Sequence, residues 1–449
     1  MEFFIDKQTQ EDLNLFGKFR KNSIFSLFNQ TKTKEGESLL EKMFQNPLTN
    51  TEEIENRNKI IQYFQNLNIN FPISKELYEE SVAYIDFLSH KTTLKTIFNT
   101  FGHKINARIS MDKQFETLQS GILSFLKLLS VMSEFYQQLD KENFPDKKLL
   151  NILDKILNNK TLLNSTNKNE DFTTVTFTQT IKYNSLFGTY WKEITQMMEA
   201  ICEIDVYTSA ANVAKEKKMH YAKPLPKQKC YTNIKGLFHP GIKNPVSNPV
   251  TIDSSKNVLF LTGANMAGKS TFMKAYGIAV YLAHLGFPIP AEEMEFSILD
   301  GIFTSINTPD NIALGYSHFY AEVLRVKTVA QEISKSKNLL VIFDELFKGT
   351  NVKDAYDATI AITEAFGKKK NCTYIISTHI IEAGEELKKS DNIQFVYLPT
   401  LMNGSNPVYT YKLEEGISGD RHGMMIINNE HIIEIIKNES PYSNKEYKN

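Results

Sequence analysis

The sequence predicts an all-α domain over the first half of the chain, followed by an α/β domain on a mostly parallel sheet. Three observations predict it. Residues 1–235 hold five of the 20 glycines, whereas residues 236–449 hold the other fifteen. Apolar residues recur at helical spacing in the first half, and strand-length apolar runs alternate with helical stretches in the second. Between them fall Pro224, Pro226, Pro240, Pro245 and Pro249. Proline blocks helix continuation and restricts the residue before it, so 220–240 reads as a connector. The expected domains are 1–235 and 236–427, with a short C-terminal helix and tail over 428–449.

Composition excludes several classes. The 449 residues carry 51 Lys and Arg against 52 Asp and Glu, which argues against a protein held on nucleic acid by bulk charge. Cys202, Cys230 and Cys372 are far apart and form no C-x-x-C pair, so neither a disulfide framework nor a zinc knuckle is expected. The opening residues, MEFFIDKQTQED, lack the apolar core of a secretory signal. The uncharged stretch Ala275–Ala291 contains His284, Pro288 and Pro290 and makes a poor membrane span. A cytoplasmic protein of two or three domains is expected.

In the first half, Phe115, Leu118, Ile122, Phe125, Leu129, Met132, Tyr136 and Leu139 repeat with 3-4 spacing, one stripe of a long helix. Such a helix suits a bundle or a projecting lever. Ser74–Leu88 and Lys192–Lys218 also read as helices, and Phe172–Ile181, rich in Thr, Val and Phe, as a short hairpin. In the second half, Val258–Thr262, Leu339–Phe343 and Thr373–Ser377 are apolar runs of strand length.

The first of these runs leads into Gly263-Ala264-Asn265-Met266-Ala267-Gly268-Lys269-Ser270-Thr271 and then a helical stretch. This is G-x-x-x-x-G-K-S between a strand and a helix, the context a phosphate-binding loop requires. Glycines let backbone N–H groups wrap phosphates, and the helix N-terminus adds partial positive charge. Lys269 is placed for the β- and γ-phosphates, and the Ser270 hydroxyl for Mg²⁺. ATP and Mg²⁺ are the expected cofactors.

The second run ends in Asp344-Glu345. A buried strand that delivers Asp to its C-terminal end sets a carboxylate beside the metal, and the next residue is placed to polarise a water. Asp344 is the expected metal partner with Ser270, and Glu345 the expected general base. The third run ends in Thr378-His379, where a histidine can contact the γ-phosphate or orient the water. Solvated acids and a structural histidine are the plainer alternatives.

GANMAGKST, DELFKGT and STH together resemble the ATPase domain of the MutS mismatch-repair family, within the ABC-type ATPases. Gly286–Ala291 is similar to that family's G-x-x-V-P-A. Residues 310–322, DNIALGYSHFYAE, resemble its D-x-L-x-x-G-x-S-x-F-x-x-E segment. Upstream, residues 26–57 resemble the opening of the MutS core, Asp205–Ala214 its return, and His239-Pro240 the lead into the ATPase. The resemblance spans roughly residues 20–427. It implies a P-loop ABC-type ATPase domain preceded by a helical lever or core domain. It also implies composite sites in a homodimer, where Ser317 of one copy faces the γ-phosphate held by the other, and duplex or branched DNA as partner.

There are departures. The resemblance to the core begins by about residue 20, so mismatch-reading and connector domains are not expected in this sequence. Of 30 phenylalanines only Phe343 has Glu two residues on, and it belongs to the acid-tipped strand. Ala264 replaces the usual Pro, Phe347-Lys348 replaces Gly-Arg, Asn351 replaces Ser, and Ser305 stands where Arg is common. Two other readings remain: an ATP-driven switch on another nucleic-acid assembly such as the ribosome, and the motor of a transporter. The absence of an LSGGQ sequence counts against the transporter. Lys215–Lys229 is the one strongly basic window, and reads as a solvated connector or a backbone contact.

Overall fold

The computed structural model describes residues 3–17, 22–89, 108–163, 174–227, 230–306, 318–403, 406–419 and 431–437. The chain forms two compact units. One comprises Phe25–Gln45 and Asn56–Glu216; the other comprises Met1–Ile24, Asn46–Glu55 and Lys217–Asn449. These compact units divide at other places than the expected boundary at 235. The division falls where the helix Trp191–Lys217 stops, and the first 24 residues belong with the sheet.

In the helical unit, Arg108–Gln138 is one helix. Ile122, Phe125, Leu129, Met132, Tyr136 and Leu139 of its stripe are buried, as are Leu126 and Leu128 beside it. It packs against the helices Lys75–Ser89, Lys147–Leu157 and Phe177–Thr189. Burial wider than a single seam makes it a bundle helix over its described length. The hairpin expected at Phe172–Ile181 is corrected: Phe177 opens a helix, capped by Thr176, whose hydroxyl accepts from Gln179 N at 3.3 Å. Gln179 reaches back to Thr176 N, completing a capping box that overrides the β-propensity of the run. The part of the run before residue 174 lies outside the described residues.

Two sequence-separated segments meet in this unit. The buried Asp205 carboxylate accepts from Lys32 N, Thr33 N and Thr33 Oγ1 at 2.7–3.0 Å, and Ser209 Oγ donates to Phe28 O at 2.6 Å. Asp205 thus ties the N-terminal end of the helix Lys34–Gln45 to the long helix Trp191–Lys217. Burial raises its pKa, against the donors that surround it.

The strands of the second unit, in chain order, are β1 (Phe4–Ile5), β2 (Ala222–Leu225), β3 (Tyr231–Leu237), β4 (Asn248–Asp253), β5 (Val258–Gly263), β6 (Glu293–Ser297) and β7 (Gly301–Ser305). They continue as β8 (Leu339–Asp344), β9 (Thr373–Ser377), β10 (Ile393–Leu398), β11 (Thr400–Asn403), β12 (Asn406–Tyr409) and β13 (Glu414–Glu415). The main sheet runs β1-β7-β8-β9-β5-β10-β13, parallel except for β13. Its central strands are buried throughout, as continuous apolar runs covered on both faces should be. A second sheet runs β2-β6-β3-β4. Pro224 and Pro249 lie on its two edge strands, where proline costs no ladder bond, so the supposed connector is part of a sheet. Of the expected C-terminal helix, Ile432–Ile436 is helical. No described helix is long and apolar enough to cross a membrane.

Candidate active site

At the carboxyl end of β5 the chain turns through residues 264–268 into the helix Lys269–Leu285. Gly263 and Gly268 take φ of 144° and 104°, values that side chains avoid. A Cβ on Gly268 would also lie 3.1 Å from the Tyr411 ring. Lys269 is buried, and its Nζ donates to Gly263 O at 2.9 Å and Ala264 O at 3.2 Å. The ammonium is thereby folded across its own loop. Burial lowers its pKa, while the carboxylates of Asp344 and Glu345 act in the opposite sense.

The acids arrive from β8 and the histidine from β9. Because β9 lies between β5 and β8, its end falls between the loop and the acids. Ser270 Oγ donates to Asp344 Oδ2 at 2.5 Å, and Ser377 Oγ donates to Oδ1 at 2.8 Å. Two hydroxyls from separate elements thus hold both oxygens of one carboxylate. Glu345 has φ 54° and donates its backbone N–H to Ser377 O at 2.9 Å. That left-handed turn sends its side chain to His379, whose Nε2 donates to Oε1 at 2.5 Å, the tautomer an acceptor-only carboxylate requires. This bond lowers the Glu345 pKa below the usual carboxylate value, with Lys348 and Lys269 adding to it and burial opposing.

Residues 263–271, Asp344, Glu345 and His379 therefore gather at one end of three neighbouring strands. Ser317 lies outside the described residues. A cleft of about 660 Å³ runs from the loop past His239, Ile242, Val246 and Tyr411. Asn248 holds this wall: its Nδ2 donates to Tyr411 O at 2.9 Å, and its Oδ1 accepts from Leu413 N at 2.7 Å. Sequence reasoning missed Ser377, Asn248 and Tyr411. Only Ser377 left a signal, as the polar residue closing an apolar strand just before Thr378-His379.

Two departures acquire physical meaning. Asn351 caps the helix Val352–Gly367, accepting from Asp354 N at 2.9 Å, a task that Ser or Asn performs about equally well. Phe347 has φ 62°, so the glycine usual there has been replaced at a left-handed position. The ring is buried and meets Phe319 edge-on at 6.0 Å, a packing gain set against the backbone cost.

Two family models match the chain: MutS domain III over residues 8–211 and MutS domain V over residues 259–443. The chain belongs to the MutS family. Similar proteins include the DNA mismatch repair protein MutS of Listeria welshimeri, 26% identical over 273 residues, 60% of this chain and 31% of that protein. The DNA mismatch repair protein MutS of Listeria monocytogenes serotype 4b is 27% identical over 243 residues, 53% of this chain and 28% of that protein. The matched stretch thus covers about a third of those MutS proteins. The acid-tipped strand, the phosphate loop and the histidine strand all lie within the MutS domain V match.

Proposed function

We propose that this MutS-like chain is a Mg²⁺-dependent ATPase that works as a homodimer and switches its grip on duplex or branched DNA. The observation that carries this reading is the convergence of Lys269, the Ser270–Asp344–Ser377 group and the Glu345–His379 pair at the ends of β5, β8 and β9. Lys269, released from its own loop carbonyls, neutralises phosphate charge, and loop N–H groups bind phosphate oxygens. The Ser270 hydroxyl and Asp344 carboxylate offer oxygen donors alone, which suits Mg²⁺ held jointly by protein and phosphates. When bound, that ion offsets charge on the β- and γ-oxygens.

Glu345 accepts the proton of the water that attacks the γ-phosphorus, and the bond to the ADP oxygen breaks. His379 occupies Oε1 and leaves Oε2 for that water. By family resemblance Ser317 of a second copy closes the site. ATP then joins two copies, and hydrolysis lets them part.

Glu345→Gln should bind ATP, hydrolyse it poorly and accumulate dimers in size-exclusion chromatography with ATP. Undiminished turnover in that variant would overturn the assignment. Binding to duplex, branched and mismatched DNA, with and without ATP, tests the partner. No affinity at low salt and no stimulation of hydrolysis would remove DNA from the reading.

A further inference from the structure

Part of the basic window around Lys215–Lys229 is taken up by partners, while Lys217 and Lys218 stay exposed. Lys223 pairs with Glu295 at 2.8 Å, Lys227 with Asp300 at 2.6 Å, and Lys215 donates to Asn68 at 2.5 Å. Unpaired charge also gathers at the edge of the main sheet opposite the phosphate loop, where β5, β8 and β9 begin. There Lys256, Lys368, Lys369 and Lys370 are exposed, and none makes an ion pair among the described residues, although the Asp253 carboxylate feels the charge of Lys256.

These turns are rigidly joined by asparagines. Asn257 Nδ2 donates to Lys369 O at 3.1 Å and Cys372 O at 3.2 Å. Asn371 Nδ2 donates to Lys337 O at 2.8 Å, Asn338 Nδ2 to Lys227 O at 2.9 Å, and Asn392 Nδ2 to Asn257 Oδ1 at 3.3 Å. The acids nearby are mostly engaged. Asp300 holds Lys227, Glu332 holds Lys335 and Lys337, and Asp253 accepts from Ser255 and Lys256 backbone N–H groups. Asp391, exposed in the turn before β10, leaves the balance positive. A hollow of about 550 Å³ opens here, lined by Lys227, Cys230, Ser254, Asn338, Lys370 and Asn371.

We propose that this asparagine-joined edge contacts the phosphate backbone of duplex DNA. Lysine, serine and asparagine are the side chains that grip phosphate and sugar, and they carry no base-edge code in this role. The contact is therefore sequence-independent, and it sits away from the nucleotide cleft. It rests on the DNA-binding reading above and adds to it a defined surface.

The test compares wild-type chain with a variant carrying Lys256→Ala, Lys368→Ala, Lys369→Ala and Lys370→Ala. A charge-matched control carries Lys7→Ala, Lys75→Ala, Lys223→Ala and Lys235→Ala, all residues in ion pairs elsewhere. Affinity for a fluorescent duplex is measured from about 50 to 200 mM salt, with basal ATPase alongside. The edge variant should bind more weakly, with a log–log salt slope shallower by about three to four, while the control and basal ATPase stay at wild-type values. Equal slopes for edge variant and wild type, or an equal loss in the control, would overturn the surface while leaving DNA binding intact. A wild-type chain without duplex affinity would overturn both together.

Discussion

His379 Nε2 lies 2.5 Å from Glu345 Oε1, bridging the ends of two neighbouring strands. The bond stabilises the ionised carboxylate and is the largest cause of its lowered pKa. Removing it in His379→Ala should raise the Glu345 pKa. A base works only when deprotonated, so the acidic limb of the kcat profile should move to higher pH. An acidic limb unmoved between pH 4 and 8 would show that the pair does not tune the base. Glu345→Gln should cost roughly 10²–10⁴ in kcat, the usual contribution of a general base.

The Ser377 hydroxyl steadies the second oxygen of Asp344, whereas its contact with Glu345 is through the backbone carbonyl and survives side-chain substitution. Loss of that hydroxyl in Ser377→Ala removes a hydrogen bond worth about 1 kcal/mol, or roughly fivefold in an equilibrium constant. The Mg²⁺ concentration for half-maximal hydrolysis should rise by that factor, and Ser377→Thr should recover most of it. An identical Mg²⁺ titration for Ser377→Ala would place the metal elsewhere.

His284 predicts a stability change with pH. It is fully buried, its Nδ1 donates to Leu48 O at 2.8 Å, and its Nε2 accepts from Leu299 N at 3.3 Å. Burial pushes its pKa down to about 4, below the unfolded value near 6.5. The folded state thus favours the neutral ring. Its contribution is present above about pH 6.5 and is lost as pH falls toward 4, amounting to roughly 3 kcal/mol. Urea midpoints measured across that window should fall for wild type and fall less for His284→Gln.

Asp12 is buried and accepts from Thr304 Oγ1 at 2.7 Å and Ile306 N at 2.9 Å, at the end of β7. Asp12→Ala leaves both donors without that partner. It should cost about 2–4 kcal/mol in urea unfolding, since bonds to charged groups are the stronger kind. A loss under 0.5 kcal/mol would mean that water replaces the carboxylate.

The phosphate loop, the acid-tipped strand and the histidine strand were legible because each is local: a glycine pattern or an apolar run within ten residues. The long helices were legible for the same reason, since burial repeats at 3-4 spacing. What sequence hid depends on pairing over distance. Asn248 meets Tyr411 across 163 residues, and two residues of β1 are too few to show a period. Pro224 and Pro249 pointed to a loop because proline reports the missing donor, not whether the neighbouring strand needs it. At Phe177 a single cap outweighed a run of strand-favouring residues.

The short strand β1 also governs how this protein can be dissected. Phe4 and Ile5 cover the outer edge of β7, while β2 and most of β3 precede residue 236. A fragment cut at the proline-rich stretch would expose backbone donors and acceptors along two sheets and invite strand pairing between molecules. The α/β unit is assembled from both ends of the polypeptide, so no single cut releases it whole.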